Sequence, residues 1–401
     1  MSASLAVLDA LPPVADFYAD YWNRRPFLVR GAIDRAVMDR LIAPDELAGL
    51  SMEETIRARM VMRKETRQDT GQDWSCRFGP FTEEDFDTAG KPPWSLLVQN
   101  VEQFHPDTAL LLGAFNFAPR WLMDDIMVSF STKGGTIGGH VDSYHVFLVQ
   151  GQGARSWTIG RGPIVDEAYI EGLDLKILKA PIDGETVDVA SGDVLYIPPH
   201  FAHEGVTLDD ALTFSVGFLG PKLSELYGAY GQYLADRDAL DNRYVGEGLG
   251  ADSACFTLST DAVAALRDRL ARPLDTPAFA EWLAAFFTGS TNEDIEQYSE
   301  RDEALDPATF AEALQAGAGL IKPASVKFAL TPSPGSFSGT TYSLGFERET
   351  FAIDDAALAV ILSLMKEQAV TAKDMPALLD HLDLLRTLYN HQALEFIDKA
   401  P

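Results

Sequence analysis

The sequence predicts a mainly β core of the jelly-roll kind, a double-stranded β-helix, followed by an α-helical region and a winged-helix-like C-terminal unit. Three observations predict it. Short apolar strands separated by Gly, Asp and Pro turn signals recur between Ile126 and Phe218, the pattern of a sandwich or barrel. Within them, His140-Val141-Asp142 and a later Gly192-Asp193…Pro198-Pro199…His203 supply two imidazoles and a carboxylate, which narrows the sandwich to a metal-binding jelly roll. Beyond Gly220-Pro221 the alternation gives way to helical spacing.

The chain has 401 residues, enough for two or three domains. Apolar residues make up 46% and charged residues 23%, an ordinary globular composition rather than a disordered one. Against 32 basic residues stand 60 acidic ones, a net charge of −28. That balance keeps a protein soluble; it also repels nucleic-acid phosphates and anionic membranes and attracts basic partners. Direct DNA binding is therefore not expected, and a basic protein is favoured as a macromolecular substrate. Cys76 and Cys255 stand far apart, neither a disulfide framework nor a zinc spacing, which suits a reducing compartment. The first ten residues lack a basic segment and a long apolar run, and nothing is apolar enough to span a bilayer. The cytoplasm is the expected location.

In chain order, residues 12–31 read as a helix, with Phe17, Tyr18, Tyr21 and Trp22 at helical spacing, and then an extended Phe27-Leu28-Val29 after Pro26. Arg24, Arg25 and Arg30 either face a ligand or, the commoner case near a helix end, are solvated. A short helix is expected over 44–58, and Thr82 caps another with acidic residues in its first turn. Trp94 to Val101 is strand-like, and Pro106 opens a helix that runs to Phe117. Ile126, Val128 and Phe130 alternate with Met127, Ser129 and Ser131, a strand with one apolar face and Ser131 on the other. Gly134, Gly135, Gly138 and Gly139 form a loop leading to His140. Val146 to Val149 is a buried strand, Gly151-Gln152-Gly153 a tight turn, and Arg155 to Gly160 a further strand.

After Pro221, helices are expected over Leu223–Leu234, Ala262–Leu270 and from Pro277 to a stop at Gly289. Their aromatic residues, Tyr227, Tyr230, Tyr233, Trp282, Phe286 and Phe287, serve either a core or a dimer contact. Residues 291–307 are acidic and linker-like. A third unit follows, with a helix at Phe310–Leu314, strands at Ser325–Leu330 and Tyr342–Phe346, a turn at Pro332, Pro334 and Gly335, helices over Asp354–Glu367 and Ala372–Leu388, and a closing strand at Leu394–Ile397.

A lone His-x-Asp pair is most often incidental. On a strand, however, positions two apart share a face, so His140 and Asp142 present side by side. With His203 they make the two-histidine, one-carboxylate set of non-haem Fe(II) oxygenases, which leaves positions open for co-substrate and dioxygen. Arg155 suits the far carboxylate of a 2-oxo acid, since a guanidinium binds a carboxylate as a bidentate fork. Taken alone, Arg155 reads as a surface salt bridge. Ser131 adds a hydroxyl donor, and Trp157, on the same strand face as Arg155, walls the pocket.

These residues resemble a known family. Gly139-His140-Val141-Asp142-Ser143-Tyr144…Gln150-Gly151…Gly153…Arg155…Trp157, Asp193 to Pro199 with His203-Glu204-Gly205, and Phe214-Ser215-Val216-Gly217-Phe218 are similar to the bacterial ribosomal oxygenases, JmjC-type, cupin-like hydroxylases dependent on Fe(II) and 2-oxoglutarate. Asp125 to Ser131 and Tyr21 to Pro26 extend the likeness, so that its specific motifs cover about the first 220 residues. The resemblance implies a catalytic domain over 1–220, a helical homodimerisation region over 221–306 and a winged-helix-like domain over 307–401. It implies His140, Asp142 and His203 as iron ligands, with Arg155 and Ser131 on the 2-oxoglutarate carboxylate and O2 as oxidant. The implied substrate is a basic protein of the large ribosomal subunit, its sixteenth, hydroxylated at C3 of an arginine. One departure is His200, where the family has a small residue. Histidine hydroxylation or lysine demethylation of another basic protein, a non-catalytic binding module and a winged-helix regulator are the alternatives. Whether Arg24, Arg25 or Tyr144 meets substrate is left open at this level.

Overall fold

A computed structural model of the chain describes residues 4–63, 74–90, 93–173, 175–237, 239, 241–250, 256–289, 301–333 and 341–397. Most of the acidic 291–307 stretch, Cys255 and the Pro334-Gly335 part of the turn lie outside the described residues. The chain forms two compact units, one built on residues 1–220 and the other on residues beyond 220. Among the described residues, no helix is long and apolar enough to cross a membrane.

The first unit contains β1 (Ala6–Leu8), β2 (Phe27–Val29), β3 (Ala58–Arg63), β4 (Trp74–Phe78), β5 (Trp94–Val98), β6 (Ile126–Ser131), β7 (His140–Val141), β8 (His145–Gln150), β9 (Ala154–Pro163), β10 (Gly184–Ala190), β11 (Val194–Ile197), β12 (Phe201–Asp209) and β13 (Ala211–Phe218). They form a nine-stranded sheet, β1-β2-β11-β8-β13-β6-β5-β3-β4, and a four-stranded sheet, β10-β9-β12-β7. From β6 to β13 the chain keeps crossing between the two sheets, which is the winding of a jelly roll. The Gly151-Gln152-Gly153 turn is one such crossing: β8 and β9 belong to different sheets rather than to one hairpin.

Alternation along the strands sorts the side chains. Ile126 and Val128 of β6, Phe147 and Val149 of β8 and Phe214 and Val216 of β13 leave the large sheet on one side. There they join Phe17, Phe27, Phe115 and Tyr196 in the main core, with these aromatic residues almost fully buried. Each such side chain contributes about 1.5–3 kcal/mol through burial. His145 shares that side; it stacks on Trp22 at 3.4 Å between ring centroids, and its Nδ1 lies 2.8 Å from the Tyr196 hydroxyl. Arg30 is a structural cation, 2.6 Å from Asp193 in the Gly192-Asp193 turn.

The inner face of the large sheet is divided. At one end Leu28, Val146, Leu148, Leu195 and Ile197 pack against Trp157, Ile159, Val189 and Phe201 of the small sheet. At the other end Ser95, Ser129, Ser131 and Thr213 are all buried. The short helices behave as their caps dictate. Thr82 accepts from the Asp85 N–H, and Pro106 begins a helix that tightens into a 3₁₀ turn over Leu110–Phe115.

The second unit contains helices Leu223–Asp236, Thr260–Ala271, Pro277–Thr288, Pro307–Gln315, Asp355–Leu364 and Leu382–Asn390. Its strands are β14 (Gly319–Ile321), β15 (Ala329–Ser333), β16 (Thr341–Phe346), β17 (Glu349–Ile353) and β18 (Glu395–Ile397). β15, β16 and β17 form a meander, and β14 pairs with β18. Helix Pro277–Thr288 lies directly on the meander: a Cβ at Gly345 would stand 2.3 Å from the Ala284 carbonyl oxygen. The strand expected at Ser325–Leu330 begins only at Ala329. β17 carried no readable turn signal, because the hairpin before it puts Glu347 and Arg348 at φ 47° and 65°, where Asn-Gly is the usual pair.

Candidate active site

Three side chains meet at one end of the small sheet. β12 lies between β7 and β9, and its His203 is paired directly with His140. The strand carrying His140 stops at Val141, so Asp142 reaches the cluster from just beyond the strand end rather than from a shared strand face. The His140 Nε2 is 3.9 Å, and the His203 Nε2 3.5 Å, from Asp142 Oδ2. One donor atom from each residue lies within 4.8 Å of the others.

The imidazoles are oriented from behind. The His140 Nδ1 lies 2.9 Å from the Gly138 carbonyl oxygen and the His203 Nδ1 3.0 Å from that of Phe201. A carbonyl only accepts, so each Nδ1 carries the proton and each Nε2 keeps its lone pair toward the cluster. Burial, then the facing His203, holds His140 down to about 4. Burial raises the Asp142 carboxyl, but the neighbouring His203 and His140 and the Tyr144 hydroxyl outweigh it and hold it at about 2. Two imidazoles with their Nε2 atoms turned inward and an ionised carboxylate fit a divalent cation.

Arg155 and Ser131 stand further along the same interior. Arg155 is 6% exposed, and its guanidinium donates from Nη2 to the Ser131 hydroxyl. Ser131 in turn donates to the Ser95 Oγ at 2.7 Å. Among the described residues no carboxylate lies within ion-pairing distance of Arg155, and its Nε is buried without a partner. The surface salt bridge considered for Arg155 is thus excluded by its burial. Burial lowers its pKa to about 10, which leaves it charged at neutral pH. A buried cation without an anion is unfavourable by several kcal/mol, and an anion from outside the chain would offset that cost.

Trp157 lies between the two ends, its ring 6.0 Å from the Arg155 guanidinium and 6.0 Å from the His203 ring. A Cβ on Gly205 would stand 2.8 Å from its indole, so only glycine lets the ring lie over β12. Gly135 is similarly confined, its missing Cβ 2.7 Å from the Thr132 carbonyl oxygen and 3.1 Å from Ser131 Cβ. The glycine loop therefore seats Ser131, which its composition alone did not reveal. Ser95 was also missed; nothing in its sequence neighbourhood marks it, and only strand pairing sets it opposite Ser131.

His200 does not join the cluster. It sits at φ 66°, its N–H donates to the Asp142 carbonyl at 2.8 Å, and its half-exposed ring pairs with Glu167 at 3.7 Å. The segment between β9 and β10 folds back beside β7: Ile177 packs on Gly138, and the Leu178 N–H donates to the Gly139 carbonyl. Burial and the charges of Asp142, Asp125 and Asp124, partly offset by Arg59, push Tyr144 well above the usual phenol range. Arg24 and Arg25 bond to the backbone carbonyls of Ala19 and Ser4.

Residues 110–226 match the family model of the JmjC domain. The chain is 33% identical over 311 residues, 77% of its own length and 79% of the relative's, to a ribosomal protein uL16 3-hydroxylase of Escherichia coli. It is 39% identical over 213 residues, 52% of its length and 50% of the relative's, to a probable ribosomal oxygenase of Haemophilus influenzae. Among solved structures, a ribosomal oxygenase from Escherichia coli in complex with cobalt and 2-oxoglutarate superposes with a TM-score of 0.76 at 28% identity, covering 96% of this chain and 98% of that one. A complex of the Escherichia coli oxygenase with cobalt and succinic acid gives 0.75 at 29% identity, over 96% and 98%.

Proposed function

The chain belongs to the JmjC-domain ribosomal oxygenases, and from that premise we propose that it is an Fe(II)- and 2-oxoglutarate-dependent protein hydroxylase, its reaction the 3-hydroxylation of an arginine in ribosomal protein uL16. The observation that carries the reading is the pairing, within one jelly-roll interior, of a convergent His140–Asp142–His203 cluster with a buried guanidinium that lacks an anion. In this reading the three residues hold iron, and Arg155 with Ser131 binds the far carboxylate of 2-oxoglutarate. Bound there, iron supplies the oxidising chemistry, in which decarboxylation of 2-oxoglutarate to succinate accompanies transfer of one oxygen atom from O2 to a C–H bond.

The protein's own groups orient and exclude. The Gly138 and Phe201 carbonyls keep both Nε2 lone pairs on the metal side. Arg155 fixes one end of the co-substrate so that its 2-oxo acid end meets the cluster, and Trp157 keeps water from the space between. Tyr144 carries its phenol beside Asp142 and adds a hydroxyl to that carboxylate. The net charge of −28 suits a basic ribosomal protein on a longer range.

The remaining regions follow the same reading. Residues 1–220 are the catalytic domain, 221–306 carry a homodimer contact, and 307–401 form a winged-helix-like domain with the β16–β17 hairpin as its wing. Support for the dimer is an open apolar groove of about 450 Å³ lined by Tyr227, Leu258, Val263, Leu266, Leu270 and Leu274, with Leu258 81% and Leu270 63% exposed. Light scattering of the intact chain should give twice the monomer mass. The cytoplasm is the location this reading requires.

The test is turnover of 2-oxoglutarate to succinate with Fe(II), with and without purified uL16, followed by the mass of that protein. The expected result is coupled turnover with a gain of one oxygen atom on an arginine. Oxygen on a histidine, or methyl loss from a lysine, would replace the substrate and keep the oxygenase. Absence of iron binding would leave a binding module.

A further inference from the structure

Thr207 lies on β12, four positions beyond His203, and is 2% exposed, with its Oγ1 buried and unpartnered. A buried hydroxyl without a partner is costly to keep, and valine would fill the same shape without that cost. Thr207 stands directly opposite Arg155 in the β9–β12 register. Its own N–H donates to the Gly135 carbonyl at 3.0 Å, and its carbonyl accepts from the Gly134 N–H at 2.8 Å. Those bonds point away from β9, so the Arg155–Thr207 pair is of the kind without mutual backbone bonds, in which facing side chains approach most closely. The register breaks immediately afterwards, between Thr207 and Asp209, and such a bulge re-aims the side chains beside it.

Two unpartnered donors therefore share one wall: the Arg155 Nε–H and the Thr207 O–H. Ser131 adjoins them through its bond from Arg155. Water would satisfy the hydroxyl but not the charge. A carboxylate, with two oxygens and about four lone-pair directions, satisfies both. We propose that Thr207 is a further donor to the distal carboxylate of the co-substrate, completing with Arg155 and Ser131 a cradle that selects 2-oxo acids bearing that second carboxylate. The proposal rests on the reading of Arg155 given above and adds a residue and a selectivity to it.

The test is calorimetric binding of 2-oxoglutarate, and separately of pyruvate, to the cobalt-loaded full chain without dioxygen. Thr207→Val should weaken 2-oxoglutarate binding about 10- to 100-fold. Pyruvate, which has no distal carboxylate, should bind wild type and variant equally, and Thr207→Ser should restore most of the 2-oxoglutarate affinity. The metal-free Thr207→Val chain should unfold at the same temperature as wild type or above it. Unchanged 2-oxoglutarate affinity in Thr207→Val would overturn the assignment, as would an equal loss for pyruvate or a lowered unfolding temperature, which marks a structural hydroxyl. No 2-oxoglutarate binding by wild type would overturn the reading of Arg155 as well, so the two failures are distinguishable.

Discussion

The two ends of the jelly-roll interior are built on opposite electrostatic plans. At the His140–Asp142–His203 end the groups that converge are acceptors: a carboxylate faces two imidazoles whose Nδ1 protons are bonded from behind, which turns their Nε2 lone pairs inward. At the Arg155 end a guanidinium is buried among hydroxyls with no carboxylate in reach among the described residues. The first end holds acceptors alone, and what it lacks is a cation. The second is incomplete, and its incompleteness specifies an anion. A site that must collect a cation and a dicarboxylate can thus be recognised from what each end lacks.

The largest effect should come from breaking the acceptor end. Asp142→Ala or His203→Ala is expected to abolish turnover and iron binding while the circular dichroism spectrum stays that of the wild type. A variant with normal activity would remove that residue from the metal set. Next, Arg155→Ala should raise the 2-oxoglutarate requirement roughly 100-fold, since it removes a buried charge partner of the ligand. Arg155→Met sharpens the contrast, because it removes an uncompensated buried charge at nearly constant volume. In the metal-free protein it should stabilise by about 1–4 kcal/mol, read as a higher unfolding temperature; a lower one would mean that the cation is structural.

Gly135→Ala should act through shape alone. Its Cβ would meet two backbone carbonyls, those of Thr132 and Trp94, at 2.7 and 2.8 Å. A destabilisation of about 1–3 kcal/mol is expected, with weaker 2-oxoglutarate binding as Ser131 shifts. The smallest effect is in acid. His140 and His145 are both held down to about 4 in the folded chain, mainly by burial, whereas free imidazoles titrate near 6.5. Between those values the unfolded chain binds more protons, so metal-free stability is full above about pH 6.5 and falls toward pH 4. The slope is at most about 1.4 kcal/mol per pH unit for each ring. His145→Phe should flatten it in thermal melts at pH 7, 6 and 5; an unchanged slope would place the titration elsewhere.

Much of this was legible in the amino-acid order. The period-two pattern of β6 assigned Ser131 to the face away from Ile126 and Val128, and β9 put Arg155 and Trp157 on one face, because a strand has only two faces. Helix ends were readable at Thr82, Pro106 and Gly289 for similarly local reasons. The family resemblance rested on motifs around His140, Arg155 and His203, all within short windows. Ser95, Thr207 and the support given by Gly135 were not legible, since each matters through a residue far away in the chain.

By itself the sequence determined which residue types were available, which faces of β6 and β9 they occupied and that a two-histidine, one-carboxylate set was present. The tertiary structure alone decided that Asp142 reaches the set from beyond a strand end, that His200 turns away, and that Arg155 is buried without a carboxylate. Periodicity is a property of neighbours along the backbone, whereas burial and charge compensation depend on which strands lie across the sandwich, and that is settled only when the sheets close on each other.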